Sequence, residues 1–232
     1  MRAAGHRVCF VTNNSAVAFG EVVAKLERCG FPDAAEDLIT SAQAAAHLVE
    51  PGSTAVVCGG PGVVEALERR GVRVVGEGPA DAVVVGFHRD FDYGRLEVAF
   101  AAVRGGARLI GTNDDATYPV SGGGEIPGGG AILAAVAYAS GVKPEVAGKP
   151  FSAAADLVLE RVGTVDVMVG DRPSTDGRFA VALGARFALV LSGVTDTAQG
   201  SDPPADMVGA DLAEVVSAAL AEPRTSTVED PG

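Results

Sequence analysis

Basic residues are scarce in this sequence. Lys and Arg total 18 against 30 Asp plus Glu, a formal net charge of −12 over 232 residues. A surface that binds a phosphodiester backbone is normally basic, so nucleic acid is excluded as the expected partner. Cysteine is also rare and odd in number: Cys9, Cys29 and Cys58 lie in or beside apolar segments. That usage fits reduced thiols rather than a disulfide framework and points to a reducing, cytoplasmic compartment. Long apolar runs are missing. The opening MRAAGHRVCF has no apolar signal region, and the longest apolar stretch, Ala131 to Ala139, is too short to span a bilayer, so no membrane is expected as a partner. No internal repeat is evident.

What is present is a chain with 47% hydrophobic residues, enough for one large domain or two small ones with a real core. Short β-rich runs at Arg7 to Thr12, Thr54 to Cys58, Ala82 to Val85, Arg108 to Gly111, Val165 to Val169 and Phe187 to Leu191 alternate with helical patterns. This alternation predicts an α/β fold with parallel sheets and helical crossovers. Thr40 and Gln43 form a capping-box pattern ahead of a helix, and Gly30, Gly71, Gly141 and Gly184 follow helical runs as terminators. A Gly/Pro-rich stretch, Ser121 to Gly130, precedes the helix AILAAVAYAS and marks either a turn under steric demand or a close approach to a ligand. The polar last ten residues, PRTSTVEDPG, read as a disordered tail.

Three polar clusters each follow an apolar strand: VCFVTNNS (Val8 to Ser15), EVAGKP (Glu145 to Pro150) and VMVGDRPSTD (Val167 to Asp176). Ligands of open α/β sheets bind at the carboxyl ends of strands, so the clusters are expected to serve one site. Thr12 offers a hydroxyl, while Asn13 and Asn14 offer amide donors. Lys149 adds a compact positive charge suited to a phosphate oxygen. Asp171 and Asp176 are hard oxygen ligands of the kind Mg²⁺ takes one or two at a time, with phosphate and water completing its shell. Each cluster alone has a plainer meaning: a turn with a helix cap, a surface turn, and a loop approaching a helix. Two nucleotide motifs fail. VVCGGPGVVEAL has Glu65 where a dinucleotide fingerprint needs its third glycine, and Lys149 is followed by Pro150 rather than the Ser or Thr of a P-loop.

The order VTNNS, a long insert, GKP, GDRPSTD and LVLSGVT resembles the NagD-like and nitrophenylphosphatase-like phosphatases of the haloacid dehalogenase superfamily, subfamily IIA. EVVAKLERCGF, LITSAQAAAHL, ADAVVVGFHRDFDYGRLEVAF and TNDDATYPV extend the likeness to about Glu222. The resemblance implies a Rossmann-like core with an inserted α/β cap: core at 1–52, cap at 53–142, core again at 143–222, tail at 223–232. It implies Mg²⁺-dependent hydrolysis of a small phosphorylated metabolite such as phosphoglycolate or glycerol phosphate, and it permits a cap-mediated homodimer. Thr12 and Asn13 would bind the phosphoryl group, Asn14 would complete their loop, and Lys149 would neutralise charge. Asp171 would ligate Mg²⁺ directly, and Asp176 would support it from behind. Asn113 and Tyr118 occupy the stretch where the family places substrate contacts, although Tyr118 reads equally well as a packed ring.

Two departures stand out. Pro173 and Ser174 replace the family's aliphatic and acidic residues, which predicts an altered loop shape with the aspartates kept. The family's Asp-x-Asp-Gly segment, which carries the nucleophile, should lie well before VTNN, yet no acidic residue occurs among the eleven that precede Thr12. His6 is no substitute. The expectation is a start placed too late, with the motif encoded upstream; the competing reading is a non-catalytic phosphate-ester-binding remnant.

Overall fold

The computed structural model describes residues 1–120 and 122–221. The expected tail at 223–232 and Ser121 of the glycine-rich stretch lie outside the described residues. The chain divides into two compact units, one of Cys9–Gly163 and one of Met1–Val8 with the residues from Thr164 onward.

In the first unit β1 (Phe10–Thr12) is followed by α1 (Phe19–Arg28), α2 (Ala34–Asp37), β2 (Leu38–Thr40) and α3 (Ser41–His47). β1 and β2 pair in parallel with Thr12 opposite Thr40, so two threonines end the two strands side by side. The capping box is formed: Thr40 Oγ1 accepts the Gln43 N–H at 3.3 Å, and Gln43 Oε1 accepts the Thr40 N–H at 2.9 Å. It stops β2 and starts α3 within one residue.

Next come β3 (Thr54–Cys58), α4 (Pro61–Arg69), β4 (Arg73–Val75), β5 (Ala82–Val85), α5 (Tyr93–Arg104) and β6 (Arg108–Gly111). β7 (Thr117–Val120) and β8 (Gly124–Pro127) form an antiparallel hairpin, followed by α6 (Gly129–Ser140), β9 (Glu145–Val146) and α7 (Ser152–Val162). The glycine-rich stretch is therefore partly strand, with the register Tyr118 opposite Ile126. A parallel sheet runs in the order β4-β3-β5-β6-β9. Every residue of β5 is buried, as a strand covered on both faces requires. Val83 and Val84, both 0% exposed, each contribute roughly 1.5–3 kcal/mol from burial. Gly30, Gly71, Gly141 and Gly184 all take positive φ at helix ends, as their positions in the sequence predict.

The strand order reverses between β3 and β5, and such a reversal opens a crevice at the carboxyl ends. Here the chain itself fills it. A Cβ on Gly60 would run into the carbonyl oxygen of Ala16, and one on Gly62 into that of Val17, so backbone packs on backbone. Ser15 Oγ and Thr112 Oγ1, both buried, share a hydrogen bond of 2.9 Å in the same place. The loop after β1 is thereby seated on the five-stranded sheet. Gly60→Ala is expected to cost about 1–3 kcal/mol through forced backbone displacement. Chemical denaturation of the variant checks this, and an unchanged midpoint would show that the Ala16 backbone yields freely.

Just past β5, His88 is 6% exposed and neither ring nitrogen has a hydrogen-bond partner among the described residues. Phe91 meets the ring edge-on at 5.8 Å. Burial pushes the His88 pKa below its ordinary 6.5, against the pull of the Asp90 carboxylate and with the help of the Arg95 guanidinium. A base depressed on folding binds fewer protons folded than unfolded. Its stability contribution is therefore complete above 6.5 and is lost as the pH falls from there through the folded value. The melting temperature is expected to drop on acidification through this window. His88→Phe should remove that part of the drop and gain ~1–3 kcal/mol at neutral pH by deleting two buried unsatisfied nitrogens. Thermal melts of both proteins across pH test this, and parallel profiles would refute it.

The second unit begins with a 3₁₀ turn (Arg2–Ala4) ended by Gly5. It continues with β10 (Val167–Gly170), a π-helical turn (Pro173–Gly177), α8 (Arg178–Leu183), β11 (Arg186–Val190), β12 (Met207–Gly209) and α9 (Leu212–Ala221). The strands form a parallel sheet in the order β10-β11-β12 around Ala180, Phe187 and Leu189. No helix among the described residues is long and apolar enough to cross a membrane.

Candidate functional site

The loop after β1 closes on itself first. The Asn14 N–H donates to Thr12 Oγ1 at 3.1 Å, and the Ala16 N–H donates to Asn14 Oδ1 at 3.0 Å. Side chains of this kind turn the backbone away from a strand and hold it in a tight arc. The Asn13 carbonyl then accepts two donors, Ser41 Oγ at 2.7 Å and Asn113 Nδ2 at 2.8 Å. One comes from the start of α3 and the other from the loop after β6.

Asn13 in turn holds Lys149. Its Oδ1 accepts the Lys149 N–H at 2.8 Å, and its Nδ2 donates to the Lys149 carbonyl at 3.0 Å and to Asp115 Oδ2 at 3.1 Å. Both main-chain polar groups of Lys149 are thus bound by one side chain. Gly148 permits the approach, since a Cβ there would lie 2.5 Å from the Thr112 carbonyl and 2.7 Å from Asn13 Oδ1. Thr12, Asn13, Asn14, Asn113 and Lys149, read separately from the sequence, are joined in one hydrogen-bonded assembly.

The side chain of Asn13 faces Lys149 and Asp115, so its carboxamide acts on protein. Asn113 is 4% exposed and is likewise engaged, donating to Asn13 and accepting the Asp115 N–H at 3.2 Å. Tyr118 stacks on Phe87 with ring centroids 4.7 Å apart and planes 5° from parallel. Sequence reasoning missed Ser15, Ser41, Thr112 and Asp115. Ser15 and Asp115 stand inside motifs already noted, VTNNS and TNDDATYPV, but nothing local says what they touch. Asp114, next in line, is held above the ordinary carboxylate range by lost hydration and, to a smaller degree, by the Asp115 charge.

The two other candidates, Asp171 and Asp176, belong to the second unit. Asp176 is 5% exposed, and its Oδ2 accepts the N–H groups of Asp171 at 3.2 Å and Arg172 at 3.1 Å. It pins the turn from which Asp171 projects. Asp171 Oδ2 accepts the Val194 N–H at 2.7 Å, and a Cβ on Gly193 would overlap the Asp171 carboxylate. The SGVT segment therefore lies directly against Asp171. No group of three or more His, Cys, Asp and Glu that could cage a metal occurs among the described residues. The donor set fits a hard cation held through one protein carboxylate, Asp171, with phosphate and water supplying the rest, which is how Mg²⁺ is commonly bound.

Comparison with known proteins gives these features a family. The model of haloacid dehalogenase-like hydrolases matches residues 1–73, and a HAD-hydrolase-like model matches residues 146–215. An acid sugar phosphatase of Staphylococcus saprophyticus is 34% identical, over 89% of this chain and 83% of that protein. The chain belongs to the haloacid dehalogenase-like hydrolases. Within that family it falls among the phosphatases of subfamily IIA. A D-glycerol 3-phosphate phosphatase of Mycobacterium tuberculosis is 38% identical over 81% of this chain, which spans 55% of that relative's length. A glycerol phosphate phosphatase from Mycobacterium tuberculosis, solved with magnesium, superposes with a TM-score of 0.82 at 34% identity, over 90% of this chain and 67% of the other. The same phosphatase has also been solved with calcium.

Proposed function

We propose that this protein acts on a small phosphate monoester, such as glycerol phosphate, phosphoglycolate or a sugar phosphate, as a Mg²⁺-dependent phosphatase of NagD-like type. The observation that carries the reading is the Thr12–Asn13–Lys149 assembly. Two segments far apart in sequence are tied by short hydrogen bonds, which set the Thr12 loop beside the main chain of Lys149, and a hydroxyl with an ammonium group suits an anion. The likeness to glycerol-phosphate and sugar phosphatases supports the substrate class.

Uncatalysed phosphate-monoester hydrolysis is so slow that the barrier must fall by up to ~20 kcal/mol or more. Thr12 and the loop orient the phosphoryl group, and Lys149 offsets its charge. Asp171, on the turn held by Asp176, would hold the metal, which would supply neutralisation of negative charge. The family reaction adds an aspartate nucleophile that forms an aspartyl-phosphate and is freed by water. The inserted segment 53–142 would serve as the cap that selects the ester. Cys29 and Cys58 are free thiols, which supports a cytoplasmic setting, and burial pushes the Cys58 pKa up to about 11. A homodimer is compatible with this reading, whereas nucleic acid and membrane are not among its partners.

The alternative reading is phosphate-ester binding without turnover, which the same Thr12 loop and Lys149 would serve. A panel of phosphate esters, assayed with the 232 residues alone and with an Asp-x-Asp-Gly strand grafted ahead of His6, separates the two. Metal-dependent turnover that appears with the graft supports the phosphatase. Tight ester binding with no turnover in either form favours the binding protein, and neither binding nor turnover rejects both.

A further inference from the structure

We propose that Asp115 is a positioning residue for Lys149 and acts through Asn13; this rests on the reading of Lys149 as the phosphate-binding cation. An asparagine carboxamide has two donors and two acceptor lone pairs, and Asn13 uses it to bind both main-chain polar groups of Lys149. That pair of bonds already sets which way the carboxamide faces, since its oxygen must meet the Lys149 N–H and its nitrogen the Lys149 carbonyl. Asp115 reinforces that orientation: its Oδ2 accepts from the same Asn13 Nδ2 at 3.1 Å, so a charge-assisted bond is added to the pair and is made only while Oδ1 stays toward the Lys149 N–H. A flipped Asn13 would set its oxygen against both the Asp115 carboxylate and the Lys149 carbonyl, two repulsions at once.

Asp115 is itself held in register. Its N–H donates to Asn113 Oδ1, and Asn113 Nδ2 donates to the Asn13 carbonyl, so a ring of contacts runs from the loop after β6 to the loop after β1 and back. Lys149 is placed by the segment between β6 and β7, although the lysine follows β9. The negative charge near an anion site would by itself weaken phosphate binding. Its contribution is instead to order the group that carries the positive charge.

The test uses inorganic phosphate titrated calorimetrically into the wild type, Asp115→Ala, Asp115→Asn, Lys149→Ala and the double Ala variant, with melting temperatures and amide exchange at Lys149 recorded. Asp115→Ala should weaken phosphate binding roughly three- to tenfold and speed exchange of the Lys149 N–H, the net worth of one ordinary hydrogen bond, since the effect reaches phosphate only through Asn13 and Lys149. Asp115→Asn, which keeps an acceptor oxygen, should restore affinity to within about twofold. In the Lys149→Ala background Asp115→Ala should change affinity no further, because a residue that acts through another loses its effect with it. Phosphate binding unchanged or tighter in Asp115→Ala, or an equal loss in both backgrounds, overturns the proposal. If Lys149→Ala binds phosphate as well as the wild type does, or the wild type binds none, the reading of Lys149 falls and this inference with it. Loss on Lys149→Ala alone removes only Asp115.

Discussion

Asp171→Asn is expected to lower Mg²⁺-dependent turnover by about 10²–10³, the range seen when one preorganised charge-stabilising group is removed. Asparagine has nearly the shape of aspartate and keeps an oxygen for the Val194 N–H, so the turn and the SGVT segment should keep their places. What is lost is the formal charge, and a hard divalent cation discriminates strongly between a carboxylate and a neutral amide. The melting temperature without metal should therefore stay close to that of the wild type while metal affinity collapses. Titration of Mg²⁺ or Ca²⁺ into the 232-residue chain reads the affinity arm directly and needs no turnover. Undiminished metal binding by the variant would remove Asp171 from the metal site. A matching loss of thermal stability would show that the residue's main work is to hold the Val194 segment.

Lys149→Ala should weaken binding of inorganic phosphate by about 10- to 100-fold, the ~1.5–3 kcal/mol typical of a charge-assisted hydrogen bond. The main chain at Lys149 is bound on both sides by Asn13, and the substitution leaves those two bonds intact. Loss of the ammonium group is thus separated from disorder of the loop. Lys149→Arg is an informative control, because a planar fork cannot replace a compact ammonium at a fixed distance without moving. It should bind more weakly than the wild type despite equal charge. Competition of phosphate against a chromogenic ester, or calorimetry, supplies the number, and an unchanged constant would return GKP to the status of an ordinary turn.

Local chemistry was legible in the residues. The capping box at Thr40 and Gln43 involves residues three apart, and the glycines that end helices act through their own φ. β3, β5 and β6 begin and end where their apolar runs do, because each is long enough and buried enough for its pattern to decide its state. Short strands were not legible. β2 is three residues, LIT, and β9 is two; they are strands because β1 and β6 offer partners. Likewise β7 and β8 arise in a stretch whose glycines and prolines argue for loop, since the antiparallel register from Thr117 to Pro127 satisfies the backbone better than solvent would.

The candidate site divides along the same line. Sequence alone determined which residue types stand ready: a Thr-Asn-Asn loop after a strand, a lysine before a proline, and two aspartates five residues apart. It also determined that phosphate chemistry suits them. Only the tertiary structure decided that Asn13 spends its carboxamide on Lys149 and Asp115, and that Asn113 is an internal tie. It alone brought Ser41 onto the Asn13 carbonyl. The bond from Asn13 to Asp115 spans 102 residues and that to Lys149 spans 136. A hydrogen bond is decided within tenths of an ångström, and at such separations position is set by the packing of whole sheets and helices.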